Sequence, residues 1–149
     1  MRKLIVAVFC LSIAVPAFAG DVTYRKDIRP LFEAKCSACH GGQAPYLGEF
    51  KESKEKYKAL HQGPRMDTYA DLLFFIAWPD TGAIMRRLDD GKNTKDGKPG
   101  NMYSHLGDTE GERQKNLKLF KAWIGEDSWV LKRRADITKE ELGRIKAKY

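Results

Sequence analysis

Apolar residues recur along this chain at helical spacing, in blocks separated by glycine- and proline-marked breaks. From Asp27 the segment Asp-Ile-Arg-Pro-Leu-Phe-Glu-Ala-Lys places Ile28, Leu31 and Phe32 on one face. Asp27 is suited to cap it, and Pro30 falls in the first turn, where a missing N–H is harmless. The spacing therefore predicts a helix running straight into Cys36. Between Gly41 and Gly63 the pattern turns polar, and its Lys51 to Lys58 stretch predicts a short exposed helix ending near Leu60.

Thr68, with Asp71 three residues on, has the form of a capping box, and the apolar block Tyr69 to Trp78 follows until Pro79 stops it. Leu72 to Ile76 are all apolar, so periodicity alone does not separate helix from strand there; the expectation taken is a helix. Thr81 to Leu88 predicts another short helix, and Asp89 to Asn101 a Gly/Lys/Asp-rich loop. Glu112 to Ile124 is the clearest helix, with Leu117, Phe120, Trp123 and Ile124 on one face and Gly125 as its stop. A charged tail, Lys132 to Tyr149, is expected to end in a helix starting at Thr138, where Glu141 completes a second capping box. The expected fold class is mainly α.

The first residues read differently. Met1-Arg2-Lys3, the apolar run Leu4 to Val15 and the small residues ending in Ala19-Gly20 form the three parts of a secretory signal peptide over residues 1–19. The run is too short for a membrane span, which needs about 20 residues. Export to the periplasm and one domain over residues 20–149 are the expectations. Cys10 leaves with the leader.

The full chain carries a net charge of +7, of which Arg2 and Lys3 also leave with the leader. The modest remaining excess suits long-range attraction to a partner protein with an acidic docking face, although solvated lysine-rich helix faces give the same total. Neither nucleic acid nor a membrane span is expected as a partner, and a monomer is.

After export two cysteines remain, and they stand in Cys36-Ser37-Ala38-Cys39-His40, the C-x-x-C-H pattern of c-type haem attachment. Two thiols three residues apart on a helical turn can reach the two vinyl groups of one haem, and the next residue can place an imidazole under the iron. A thioredoxin-like pair would need a strand-helix-strand setting that is not visible. A zinc site needs about four ligands, and only the scattered His61 and His105 could supplement this pair. A disulfide needs no histidine. One covalent haem c is the expected cofactor, with His40 as proximal ligand.

For the iron's sixth position the residues offer Met66, Met85, Met102, His61 and His105. Met85, in Ala83-Ile84-Met85-Arg86-Arg87-Leu88, reads better as a core residue on an amphipathic turn. Met66 lies just ahead of a predicted helix. Met102 lies in Lys98-Pro99-Gly100-Asn101-Met102-Tyr103, a loop from which a thioether can swing toward the iron, and His105 is its nearest rival. Trp78, Tyr103 and Trp123 could pack a haem pocket and Arg86 or Arg87 could meet a propionate; core packing and solvated surface explain them equally well.

On these residues the chain resembles the class I c-type cytochromes, in which an N-terminal helix ends in C-x-x-C-H and a C-terminal helix packs across it. Asp27 to His40 looks like the attachment helix, Asp80 to Leu88 like a haem-flanking helix, Gly100 to Tyr103 like the distal-methionine loop and Leu117 to Ile124 like the closing helix. The resemblance implies a class I cytochrome c-like helical fold, with His40 and Met102 as axial ligands and the Pro45 carbonyl on the far nitrogen of His40. The sequence departs from the family where Tyr103, not proline, follows Met102. It also adds an insertion at 49–66 and an extension at 126–149. Within the family it is similar to periplasmic monohaem cytochromes of metal-reducing anaerobic bacteria. A one-electron carrier in an anaerobic respiratory or extracellular electron-transfer chain, not an enzyme, is the function this implies. The rival is a haem enzyme or a redox or gas sensor with an open sixth position.

Overall fold

Threonines start four of the helical segments. Thr23, Thr68, Thr109 and Thr138 each accept, through the side-chain hydroxyl, the backbone N–H three residues on, which satisfies one of the donors a helix start leaves orphaned. At Thr68 and Thr138 the carboxylates of Asp71 and Glu141 return the bond, completing the two boxes expected from the sequence. The computed structural model describes residues 21–149; the expected signal peptide, with Cys10, lies outside the described residues.

The first helical segment begins earlier than expected. A π-helical turn, Tyr24–Ile28, is capped by Thr23 and continues as α1, Arg29–Lys35. Asp27 is not the cap; its carboxylate reaches back to the Thr23 N–H at 2.8 Å. Then come α2 (Ser37–His40), α3 (Leu47–Glu52), α4 (Lys54–Ala59), α5 (Tyr69–Ile76) and α6 (Ala83–Leu88). A 3₁₀ turn, Tyr103–Leu106, leads to α7 (Glu110–Ile124), and a second, Glu126–Ser128, leads to α8 (Lys139–Gly143). No strand occurs among the described residues. The single helix expected over 51–58 is instead the pair α3 and α4, broken at Ser53, and the apolar block after Thr68 is helical as expected.

The core forms where α7 lays Leu117, Phe120, Trp123 and Ile124 against Tyr24, Ile28 and Leu106, all buried. Met85, fully buried, belongs to the same cluster, as its amphipathic turn suggested. The C-terminal residues close this core. Lys146 and Ala147 donate their N–H groups to the carbonyls of Ile124 and Trp123 at the end of α7. The Lys148 carbonyl accepts from both the Tyr24 N–H and the Trp123 indole, each at 2.8 Å. The terminal segment thus ties the first turn to the last long helix and completes the frame that carries the Cys36–His40 turn.

Candidate haem-binding site

Helix α1 delivers Cys36 directly, because the Cys36 N–H still bonds the Phe32 carbonyl at 2.8 Å. The chain then re-enters a helical turn, in which the N–H groups of Cys39 and His40 both bond the Cys36 carbonyl, at 3.2 and 2.9 Å. Cys36 and Cys39 are thereby one turn apart, half-buried, and free thiols. Burial first, and the neighbouring Cys39 second, push the Cys36 thiol up to about 11. Neither cysteine is in a disulfide, so both sulfurs are available to form thioethers.

His40 is seated by a segment from the far side of the insertion. After α4 the chain returns alongside the motif: Gly63 N–H bonds the Cys39 carbonyl at 2.9 Å, Arg65 N–H the Pro45 carbonyl at 2.8 Å, and Met66 N–H the His40 carbonyl at 2.9 Å. In the middle of this run the Pro64 carbonyl lies 2.8 Å from Nδ1 of His40. A carbonyl only accepts, so Nδ1 carries the proton and Nε2 holds the lone pair a metal would use. Burial above all lowers the His40 pKa, and Arg87 and His105 push the same way against the Pro64 carbonyl. The imidazole is kept neutral, as a ligand must be. Gly63 is required here: a Cβ on it would sit 2.1 Å from Cε1 of His40.

This geometry corrects the expectation for Pro45. Its carbonyl is engaged by Arg65, and the partner of His40 Nδ1 is Pro64. The sequence signal was present in Gly63-Pro64, a turn-forming dipeptide, but only the return of the insertion shows that it meets the motif.

Met102 is half-buried on the loop that follows Gly100. Its N–H bonds the Arg87 carbonyl at 2.9 Å, and the Gly100 N–H bonds the Asp89 carbonyl at 2.8 Å, so the loop is fastened to the end of α6. Tyr103 is buried and faces α7: its hydroxyl donates to Glu110 at 2.6 Å and accepts from Gln114 at 2.7 Å. Of the other candidates, Met66 belongs to the segment that seats His40, while His61 and His105 are exposed.

The remaining aromatic and basic candidates divide. Trp123 is a core residue, packed edge-on against Phe120 at 6.5 Å between centroids. Trp78 is 53% exposed and stacks under the Arg134 guanidinium at 4.2 Å, joining the end of α5 to the extension. Arg86 is engaged on the side of the extension: one of its nitrogens donates to the Thr81 and Lys132 carbonyls, both at 2.8 Å, and Asp80 lies 3.6 Å from another. Arg87 is the arginine near the site. It is exposed, bonded to Asn101 at 2.7 Å, and close enough for its charge to lower the His40 pKa.

Two free thiols and a neutral imidazole whose outer nitrogen is pinned fit a haem held by two thioethers. A bare zinc ion fits poorly, since no three of His, Cys, Asp and Glu converge among the described residues. The family described as PccH Cytochrome c matches residues 23–149. The chain belongs to the PccH cytochrome c family. Membership carries one covalently bound haem c and electron transfer through it. The structure is similar to that of the monohaem cytochrome PccH from Geobacter sulfurreducens, with 60% sequence identity and a TM-score of 0.81. The match covers 87% of this chain and 100% of that one. No curated protein sequence matches the chain. The resemblance read from Cys36 to His40 and from the helical pattern is borne out as family and as a mainly helical PccH-type fold.

Proposed function

We propose that this PccH-family cytochrome is a periplasmic one-electron carrier rather than an enzyme, with His40 and Met102 as the two axial ligands. When bound, the haem supplies the Fe(III)/Fe(II) couple. The chain's own residues attach and tune it. Cys36 and Cys39 hold it covalently. His40, with its Nδ1 proton on Pro64, presents Nε2 as a fixed and more basic donor. Met102 completes the coordination and keeps substrates off the metal.

The observation that carries the reading is the pinned neutral imidazole beside two free thiols. The tethering of the Met102 loop to α6 supports a closed sixth position. The leader pattern at residues 1–19 supports export and a mature domain over 20–149. A role in an anaerobic respiratory or extracellular electron-transfer chain rests on the likeness to cytochromes of metal-reducing bacteria.

For the partner, we favour a redox protein with an acidic docking face meeting a monomer of this chain. A groove of about 830 Å³ beside α7 supports it, lined by Lys92, Lys115, Lys118 and Lys121 with Asp90 and Glu126 at its wall. The test of the carrier reading is carbon monoxide added to the reduced protein. A closed site is expected to resist it, whereas rapid, complete binding would support an enzyme or sensor with an open position.

A further inference from the structure

Asp89 is wholly buried, at 0% exposure, and stands outside the ligand set described so far. Its Oδ1 accepts from the N–H groups of Gly91 at 2.8 Å and Asn93 at 3.3 Å. Its Oδ2 accepts from the Asn93 side-chain amide at 2.8 Å and from the indole N–H of Trp129 at 2.9 Å. A carboxylate taken out of water needs such a set of donors, and each one lost leaves a lone pair stranded.

The backbone of the same residue acts on other segments. Its N–H closes α6 on the Met85 carbonyl at 3.0 Å, and its carbonyl accepts the Gly100 N–H at 2.8 Å. Gly100 stands two residues before Met102 and presses so closely on α6 that a Cβ would lie 2.3 Å from the Arg87 carbonyl oxygen. Asp89 therefore joins the end of α6, both ends of the loop that returns to it, and Trp129 of the C-terminal extension.

We propose that Asp89 is a positioning residue for the iron's sixth ligand: its carboxylate, held by Trp129, fixes the loop that presents Met102. The inference rests on the reading of Met102 as distal ligand. It gives the extension a role at the iron, exercised through one indole hydrogen bond. Without that donor the buried carboxylate is undersatisfied, the loop loosens at its root, and Met102 leaves the metal more often while the helices stay folded.

The test uses the haem-loaded protein and two variants, Trp129→Phe, which keeps the ring and removes the donor, and Asp89→Asn. Two quantities are followed on heating: the sulfur-to-iron charge-transfer band of the oxidised protein and the helical circular dichroism. A third is the rate of carbon monoxide uptake by the reduced form. In the parent protein band and helix signal should be lost together. In Trp129→Phe the band should disappear at a clearly lower temperature than the helix signal, and carbon monoxide uptake should rise about tenfold, the size of effect expected for one hydrogen bond to a charged group.

Coincident loss of both signals in Trp129→Phe, with carbon monoxide uptake unchanged, would overturn the proposal. Trp129→Phe decides the matter even if Asp89→Asn does not fold. Met102→Ala separates the two readings. Survival of the band in that variant contradicts the ligand assignment itself, whereas its loss there, with an unaltered Trp129→Phe, contradicts only the role of Asp89.

Discussion

Nδ1 of His40 lies 2.8 Å from the carbonyl oxygen of Pro64, a residue 24 positions further along that reaches it only because the intervening helices α3 and α4 loop out and return. Gly63 makes the approach possible. Replacing Gly63 by Ala drives a methyl group into the ring, and overpacking of this kind costs about 1–3 kcal/mol. With the Pro64 bond lengthened the imidazole becomes a weaker donor and the ferric state loses support. The reduction potential should therefore rise and the urea midpoint fall. A potentiometric titration and an unfolding curve that both match the parent would remove Gly63–Pro64 from the seat.

Acid should weaken the protein in a defined window. Glu110 is held at about 2, against an ordinary value of 4.5, first by the Tyr103 hydroxyl and then by Gln114 and Arg113. A depressed carboxylate stabilises the fold fully above its unfolded value and ceases to do so as pH falls through its folded value. Stability should decline between pH 4.5 and about 2 as the carboxylate that anchors Tyr103 to α7 is protonated. In Glu110→Gln the urea midpoint should fall less steeply over that range; an identical slope would contradict the linkage.

The C-terminal strap offers a test of the frame. Ending the chain at Ile145 removes the N–H groups of Lys146 and Ala147 from the end of α7 and the Lys148 carbonyl from Tyr24 and Trp123. The Tyr69 hydroxyl also loses the Ala147 carbonyl, so five hydrogen bonds go. At about 1 kcal/mol each they predict a loss of about 5 kcal/mol. A truncated protein with the parent's unfolding free energy would show that the strap merely rests on the core.

Covalent attachment has its own expected pattern. Cys36→Ala and Cys39→Ala should each retain haem through one thioether on a denaturing gel, and the double variant should lose it. Haem resisting extraction from the double variant would contradict attachment at this pair.

Much of the fold was legible in particular residues. The threonines at 68 and 138 with their carboxylate partners marked two helix starts, and the Leu117–Ile124 face marked the helix that builds the core. The motif Cys36–His40 is local, so its chemistry could be read from five residues. What could not be read is set by long-range contacts. Pro45 and Pro64 are alike in sequence, and only the returning insertion decides which carbonyl meets His40. Arg86 and Arg87 are adjacent, yet one turns to the Lys132 carbonyl and the other stands near His40. Asp89 looked like the first residue of a polar loop, because nothing local shows that Trp129, 40 positions on, will bury it.

The iron's sixth ligand decides between a closed and an open site, and one spectrum identifies it. The oxidised parent protein should show a sulfur-to-iron charge-transfer band near the red end of the visible range, and Met102→Ala should lack it. A band that survives in Met102→Ala would contradict the assignment of Met102 and the closed, carrier-type iron site built on it.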